Sequence, residues 1–143
     1  MAYTTIDDPT IYFNTKLYTG DNSVRNITGV GFQPDWVWIK DRDSGANHCT
    51  FDVIRGATKL LRPNQTNSES TEASTLSAFI SDGFTLNGSD SFTNDNTNKY
   101  VAWNWKAGGS ASSNSDGSIT SSVSANTTAG FSIVSYTGTG SNA

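Results

Sequence analysis

Four tryptophans in two Trp-x-Trp pairs are the side chains of this sequence best suited to meet a ligand: Trp36-Val37-Trp38 and Trp103-Asn104-Trp105. Side chains two apart on a strand share a face, so each pair makes a broad aromatic ledge, with Val101 extending the second. Pyranose rings offer flat CH faces that indoles accept, which makes Trp36, Trp38, Trp103 and Trp105 candidate glycan-stacking residues. The competing reading is a core filled with tryptophan. Val37 and Ile39 favour the core, because they make the other face of the first strand apolar too, as in a central strand covered on both sides. Ala102 and Asn104 soften that argument for the second strand. The pattern therefore predicts Phe13, Leu17, Trp36, Trp38, Val101, Trp103 and Trp105 in a core, where Trp103→Ala costs about 3–5 kcal/mol.

Other chemistry is weakly supported. Asp41-Arg42-Asp43-Ser44-Gly45 begins like a calcium loop, but Gly45 and Ala46 fall where an oxygen ligand and then a turn glycine are wanted, and Asp52 stands in place of a bidentate Glu. A solvated turn fits better. His48 and Cys49 are the only nucleophile-and-base pair, and neighbours on a strand point to opposite faces. With no Gly-x-Ser-x-Gly and no second His there is no hydrolytic triad. One His and one Cys cannot complete a zinc site. Glu69 and Glu72, the only glutamates, do not define a glycosidase pair. Arg55-Gly56-Ala57-Thr58-Lys59 lacks phosphate-loop spacing and reads as a tight turn. The expectation is no catalytic residue, no structural metal and no cofactor.

The elements that must carry the tryptophans are strands. Charged residues make up 15% of the 143 residues, and polarity comes instead from Ser, Thr, Asn and Gly. Such side chains suit turns and solvated strand faces and compete with helix hydrogen bonds. Ile11, Phe13 and Leu17 alternate with polar neighbours, and further strands are expected at Asp35 to Lys40, Thr50 to Ile54, Thr58 to Leu61, Gly83 to Leu86 and Tyr100 to Lys106. Leu76, Phe79 and Ile80 have helical spacing and suggest a short helical turn, weakened by the neighbouring Ser and Thr. The fold class is all-β, an antiparallel β-sandwich of jelly-roll or lectin-like type over residues 10–106.

Net charge is −4, and no Lys/Arg cluster exists to neutralise phosphates, which argues against nucleic acid and against membrane surfaces. Cys49 is the only cysteine, so no intrachain disulfide can form. Met1-Ala2-Tyr3 opens without the basic and apolar stretches of a signal peptide, and no apolar run is long enough to span a membrane.

The chain also restarts. Phe13 is followed after four residues by Tyr18-Thr19-Gly20, and Phe131 after four residues by Tyr136-Thr137-Gly138. An interval of about 118 residues suits a duplicated small domain. The division that follows is a β-sandwich domain at 1–106, a flexible Gly/Ser-rich linker at 107–117, and the first strands of a second, incomplete unit at 118–143. Two strands alone are marginal in water. The trailing segment is expected to lie along residues 1–106, to dock on another protein or, preferably, to cross to a neighbouring subunit.

The runs Gly29 to Lys40 (GVGFQPDWVWIK), Phe51 to Lys59 (FDVIRGATK), Ser81 to Thr85 (SDGFT) and Tyr100 to Gly108 (YVAWNWKAG) resemble a family of structural proteins of marine tailed bacteriophages. The resemblance covers nearly the whole chain. It implies a virion structural protein, foremost a tail fibre or appendage component acting in assembly and host attachment. The alternatives are a head fibre or capsid decoration protein, or a carbohydrate-binding β-sandwich module. Expected partners are other virion proteins, further copies of the chain in a symmetric oligomer with a trimer favoured, and a host-surface glycan. The resemblance carries over no catalytic residue.

Overall fold

The computed structural model describes residues 6–140. Met1 to Thr5 and Ser141 to Ala143, which open and close the ranges drawn above, lie outside the described residues. Asp8 accepts a hydrogen bond from the Thr10 amide (2.9 Å) and caps a single 3-10 turn at Pro9–Ile11. Strands β1 (Phe13–Thr19), β2 (Val24–Thr28), β3 (Trp36–Asp41), β4 (Cys49–Asp52), β5 (Lys59–Leu60), β6 (Ser70–Thr71), β7 (Leu76–Ile80), β8 (Gly83–Asn87) and β9 (Lys99–Trp105) follow, then β10 (Ser112–Asn114), β11 (Ser121–Asn126) and β12 (Phe131–Tyr136).

The fold is an all-β antiparallel sandwich. One sheet has the order β1-β9-β3-β4, the facing sheet β2-β8-β7, and β5-β6 forms a small ribbon beside them. Between the two main sheets Ile27, Val37, Ile39, Phe51, Leu76, Phe84, Leu86, Tyr100 and Ala102 form one buried cluster with Cys49 and Leu60. The expected strands are present, and β2 is one the sequence reading lacked. Leu76 to Ile80 is a strand, not a helical turn. A bulge between Leu76 and Ala78 inserts one residue, so Leu76 and Phe79 both reach the core although they are three apart.

The predicted core has the wrong phase on the four-stranded sheet. Phe13 is 36% and Leu17 59% exposed, while Trp36, Trp38, Val101, Trp103 and Trp105 are only half-buried. On the inner face Val37, Ile39, Cys49, Phe51, Tyr100, Ala102 and Asn104 are all fully buried. Strand β1 contributes Tyr18 to it instead of Leu17, and the inward polar groups are paired except Asn104 Oδ1, which is buried without a partner among the described residues. Asn14 Nδ2 donates to the Val30 carbonyl (2.9 Å), the Tyr18 hydroxyl to the Thr93 carbonyl (2.7 Å), and Asn104 Nδ2 to the Asn14 carbonyl (3.1 Å).

The remaining strands form a separate sheet of order β10-β11-β12. The stretch read as a linker carries no large core side chain, yet its backbone is held. Gly108 N donates to Ser124 Oγ (3.0 Å), Gly109 N to Asp35 Oδ2 (3.2 Å), and Ser124 Oγ to the Gly109 carbonyl (2.8 Å). A Cβ on Gly108 would stand 2.4 Å from the Ala125 carbonyl oxygen, so only glycine fits where that backbone passes β11. The trailing sheet lies along its own chain.

Candidate functional site

All four tryptophans occupy the outer face of the β1-β9-β3-β4 sheet, and the strand register lays them out in rows. Phe13, Trp105, Trp36 and Asp52 are successive cross-strand partners in one row, and Thr15, Trp103, Trp38 and Thr50 in the next. Strand β3 is delivered to this position by the turn before it. Gly29 and Gly31 adopt left-handed backbone (φ 81° and 90°), and their amides donate to the Asp82 carboxylate at 2.9 and 2.6 Å. Those bonds hold the Asp82 pKa below its ordinary value.

The rings form one continuous surface. Trp36 stacks on Trp105 with centroids 4.8 Å apart, and Phe13 packs on Trp105 at 4.9 Å. Trp38 lies 6.1 Å from Trp36 and meets Trp103 edge-on at 6.2 Å. One half of the surface is occupied. Phe131, at the start of β12, stacks almost parallel to Trp36 (5.8 Å, 7°) and lies 6.1 Å from Trp105. The Trp38 and Trp103 half has no ring from the trailing sheet against it.

On that open half Trp38 Nε1 donates to His48 Nδ1 (2.9 Å), which fixes the imidazole as neutral with Nδ1 the acceptor. Burial, and secondarily Lys40, lower the His48 pKa and favour the same state. The His48 amide donates to Asn64 Oδ1 (3.1 Å), and Asn64 Nδ2 donates to Asn47 Oδ1 (2.9 Å), so polar amides border the indoles. Beside the occupied half a cleft of about 440 Å³ runs between Trp36, Arg55 and Leu61 on one wall and β12 on the other. Arg55 is engaged in the cleft wall, donating to Asp52, to Glu69 (3.0 Å) and to the Thr50 carbonyl (3.2 Å).

The other sequence candidates do not join this surface as reactive groups. Cys49 points to the opposite side from Trp38 and is fully buried, and burial pushes its thiol pKa up to about 12, so it carries no thiolate near neutrality. Asp41 is buried where a solvated turn was expected. It accepts from the Asp43 amide (2.8 Å), from Ser44 Oγ (2.6 Å) and from Asn98 Nδ2 (2.9 Å), and these bonds lower its pKa against the desolvation that opposes them. Glu69 and Glu72 are spent on Arg55 and Arg62, at 3.0 and 3.7 Å. Among the described residues no group of three or more His, Cys, Asp or Glu could hold a metal ion. Phe131 and His48 are the partners of the tryptophans that sequence reasoning did not assign. The repeat flagged Phe131 in the sequence, but nothing in the spacing shows that it folds back onto Trp36.

A family model described as a domain of unknown function, DUF7483, matches residues 8–143. No curated protein and no solved structure matches the chain.

Proposed function

The chain belongs to the DUF7483 family, and we propose that it is a structural, non-catalytic module of a bacteriophage virion, foremost of a tail fibre or other appendage. The observation that carries this reading is the outer tryptophan face. A sheet that keeps four indoles outside its core, with Phe131 of the trailing segment stacked on two of them, is built for assembly with further β elements. The inert Cys49 and the engaged His48 and glutamates agree with a module that performs no catalysis. The motif resemblance supplies the virion setting, and with it other virion proteins and a homotrimer as partners. Gold-labelled antibody raised against the chain should decorate purified particles at the tail or its fibres. Label confined to the head would favour a head fibre or decoration protein, and unlabelled particles would remove the virion role.

A second reading rests on the open half of the same face. Trp38 and Trp103, bordered by His48 and the Asn47 and Asn64 amides, offer a pyranose an apolar ledge with hydrogen-bonding groups at its rim. This gives the module a host-glycan contact. Titration with polysaccharide from the host envelope should change tryptophan emission in the native chain and leave Trp38→Ala unresponsive. An unchanged native spectrum at saturating polysaccharide removes the glycan contact and leaves the structural role.

A further inference from the structure

The geometry points to β12 as the first strand of a second sandwich, whose exposed face is a docking surface for the segment of that second unit equivalent to Thr93–Ala102. The sequence repeat sets Phe131, Tyr136, Gly138 and Gly140 in correspondence with Phe13, Tyr18, Gly20 and Asn22. Backbone conformation repeats with it. Both segments are strands that begin at the Phe, and each has a left-handed residue four places after the Tyr, Asn22 at φ 58° and Gly140 at φ 77°.

Only the surroundings differ. In the first unit the Tyr18 ring stacks on Tyr100 of β9 (5.2 Å, 14°), its hydroxyl donates to the Thr93 carbonyl, and Gly20 lies so close to Asp95 that a Cβ would stand 2.0 Å from the Asp95 carbonyl oxygen. The Gly20 amide donates to the Asn98 carbonyl (2.8 Å). In the second copy of the motif Tyr136 is 65% and Val134 51% exposed, and a Cβ on Gly138 would meet nothing within 4 Å. Strand β12 pairs with β11 along one edge and stands at the border of its sheet. Each feature that Thr93–Ala102 satisfies for β1 is thus presented, uncovered, by β12: a ring, a hydroxyl, a close-approach glycine and a strand edge.

The occupant is a second unit following Gly140 in the same polypeptide. A separate, complete copy of the chain cannot supply the segment, because its own β9 is already paired on both edges, with β1 and β3. Consecutive units are then held by two surfaces of one strand. Phe131 belongs to the outer face, against Trp36 and Trp105 of the preceding unit, and Val134 and Tyr136 belong to the core of the following one.

The test continues the chain through Gly140 directly into a second copy of residues 23–106, so that Gly140 stands where Asn22 does and β12 must replace the missing β1. The comparison joins the same residues after Lys106, without β10 to β12. Expected under limited proteolysis is at least a tenfold slower cleavage of the added residues when β12 precedes them, with the protection lost in Tyr136→Ala while residues 6–106 stay resistant. Equal cleavage with and without β12, or protection indifferent to Tyr136→Ala, overturns the proposal. The unextended chain gives a second check by sedimentation. It should be equally monomeric or equally oligomeric with and without Tyr136→Ala, and an oligomer that dissociates in that variant assigns the face to a second copy and also overturns the proposal.

Discussion

The two faces of the β1-β9-β3-β4 sheet invert the usual relation between side-chain size and depth. The inner face, fully removed from solvent, is built from Val37, Ile39, Cys49, Phe51, Tyr100, Ala102 and an asparagine, whereas the outer face holds all four tryptophans and remains half-open. Burial depends on what lies opposite, not on bulk. The inner face meets a complete second sheet, and the outer face meets only a three-stranded flap that brings one ring, Phe131, to bear. Large aromatics on a face covered by a separate element are characteristic of interfaces, where each contributes much contact area at small conformational cost.

This contrast is broken most severely on the inner side. Phe51→Ala and Tyr100→Ala should each lower stability by about 3–5 kcal/mol in urea unfolding, as fully buried rings leaving cavities. Trp103→Ala on the outer face should cost about 2 kcal/mol, since a half-buried ring forfeits only part of that amount. If Trp103→Ala costs as much as Tyr100→Ala, the two faces are energetically alike and the distinction fails.

Phe131→Ala sharpens the comparison within the outer face. It should cost about 1 kcal/mol for the lost ring stacking and shift the emission of Trp36 and Trp105 to the red as the trailing sheet lifts. An unshifted spectrum would mean that the flap does not shield those indoles.

The smallest effect is on pH. Because burial lowers the His48 pKa, the unfolded chain takes up a proton before the folded one does. The stabilising contribution of the neutral imidazole is therefore complete above about pH 6.5 and is lost as pH falls towards the folded-state value, when Nδ1 ceases to accept from Trp38. Tryptophan emission followed from pH 7 to 5 should show this step in the native chain and not in His48→Gln.

The sheet elements were legible because their signals are local: alternation, turn residues and β-branched or aromatic enrichment placed most strands to within two residues. The phase of the four-stranded sheet was not. Along β1 both sets, Phe13/Leu17 and Tyr18 with its neighbours, can pack, and the choice was made by partners remote in sequence, Tyr100 and Thr93, which give Tyr18 a ring to stack on and a carbonyl for its hydroxyl. The pattern at Leu76 to Ile80 misled for a related reason, since a bulge creates helical spacing inside a strand. At the site, the Trp-x-Trp pairs announced an aromatic ledge, and its orientation rested on the same undetermined phase. Phe131 and Tyr136 repeat the spacing of Phe13 and Tyr18 in the sequence, but the return of the trailing segment onto Trp36 depends on a long-range contact that no periodicity encodes.

The contrast between the two halves of the outer face depends on Phe131 covering one of them within its own chain. Nuclear Overhauser contacts measured on a mixture of differently isotope-labelled chains test it directly. Contacts are expected from the Phe131 ring to the Trp36 and Trp105 indoles within one labelled chain, and none from Phe131 to Trp38 or Trp103. Contacts that appear only between differently labelled chains would place the strand on a neighbouring subunit, and the absence of any contact between Phe131 and the indoles would leave the whole face uncovered; either result contradicts it.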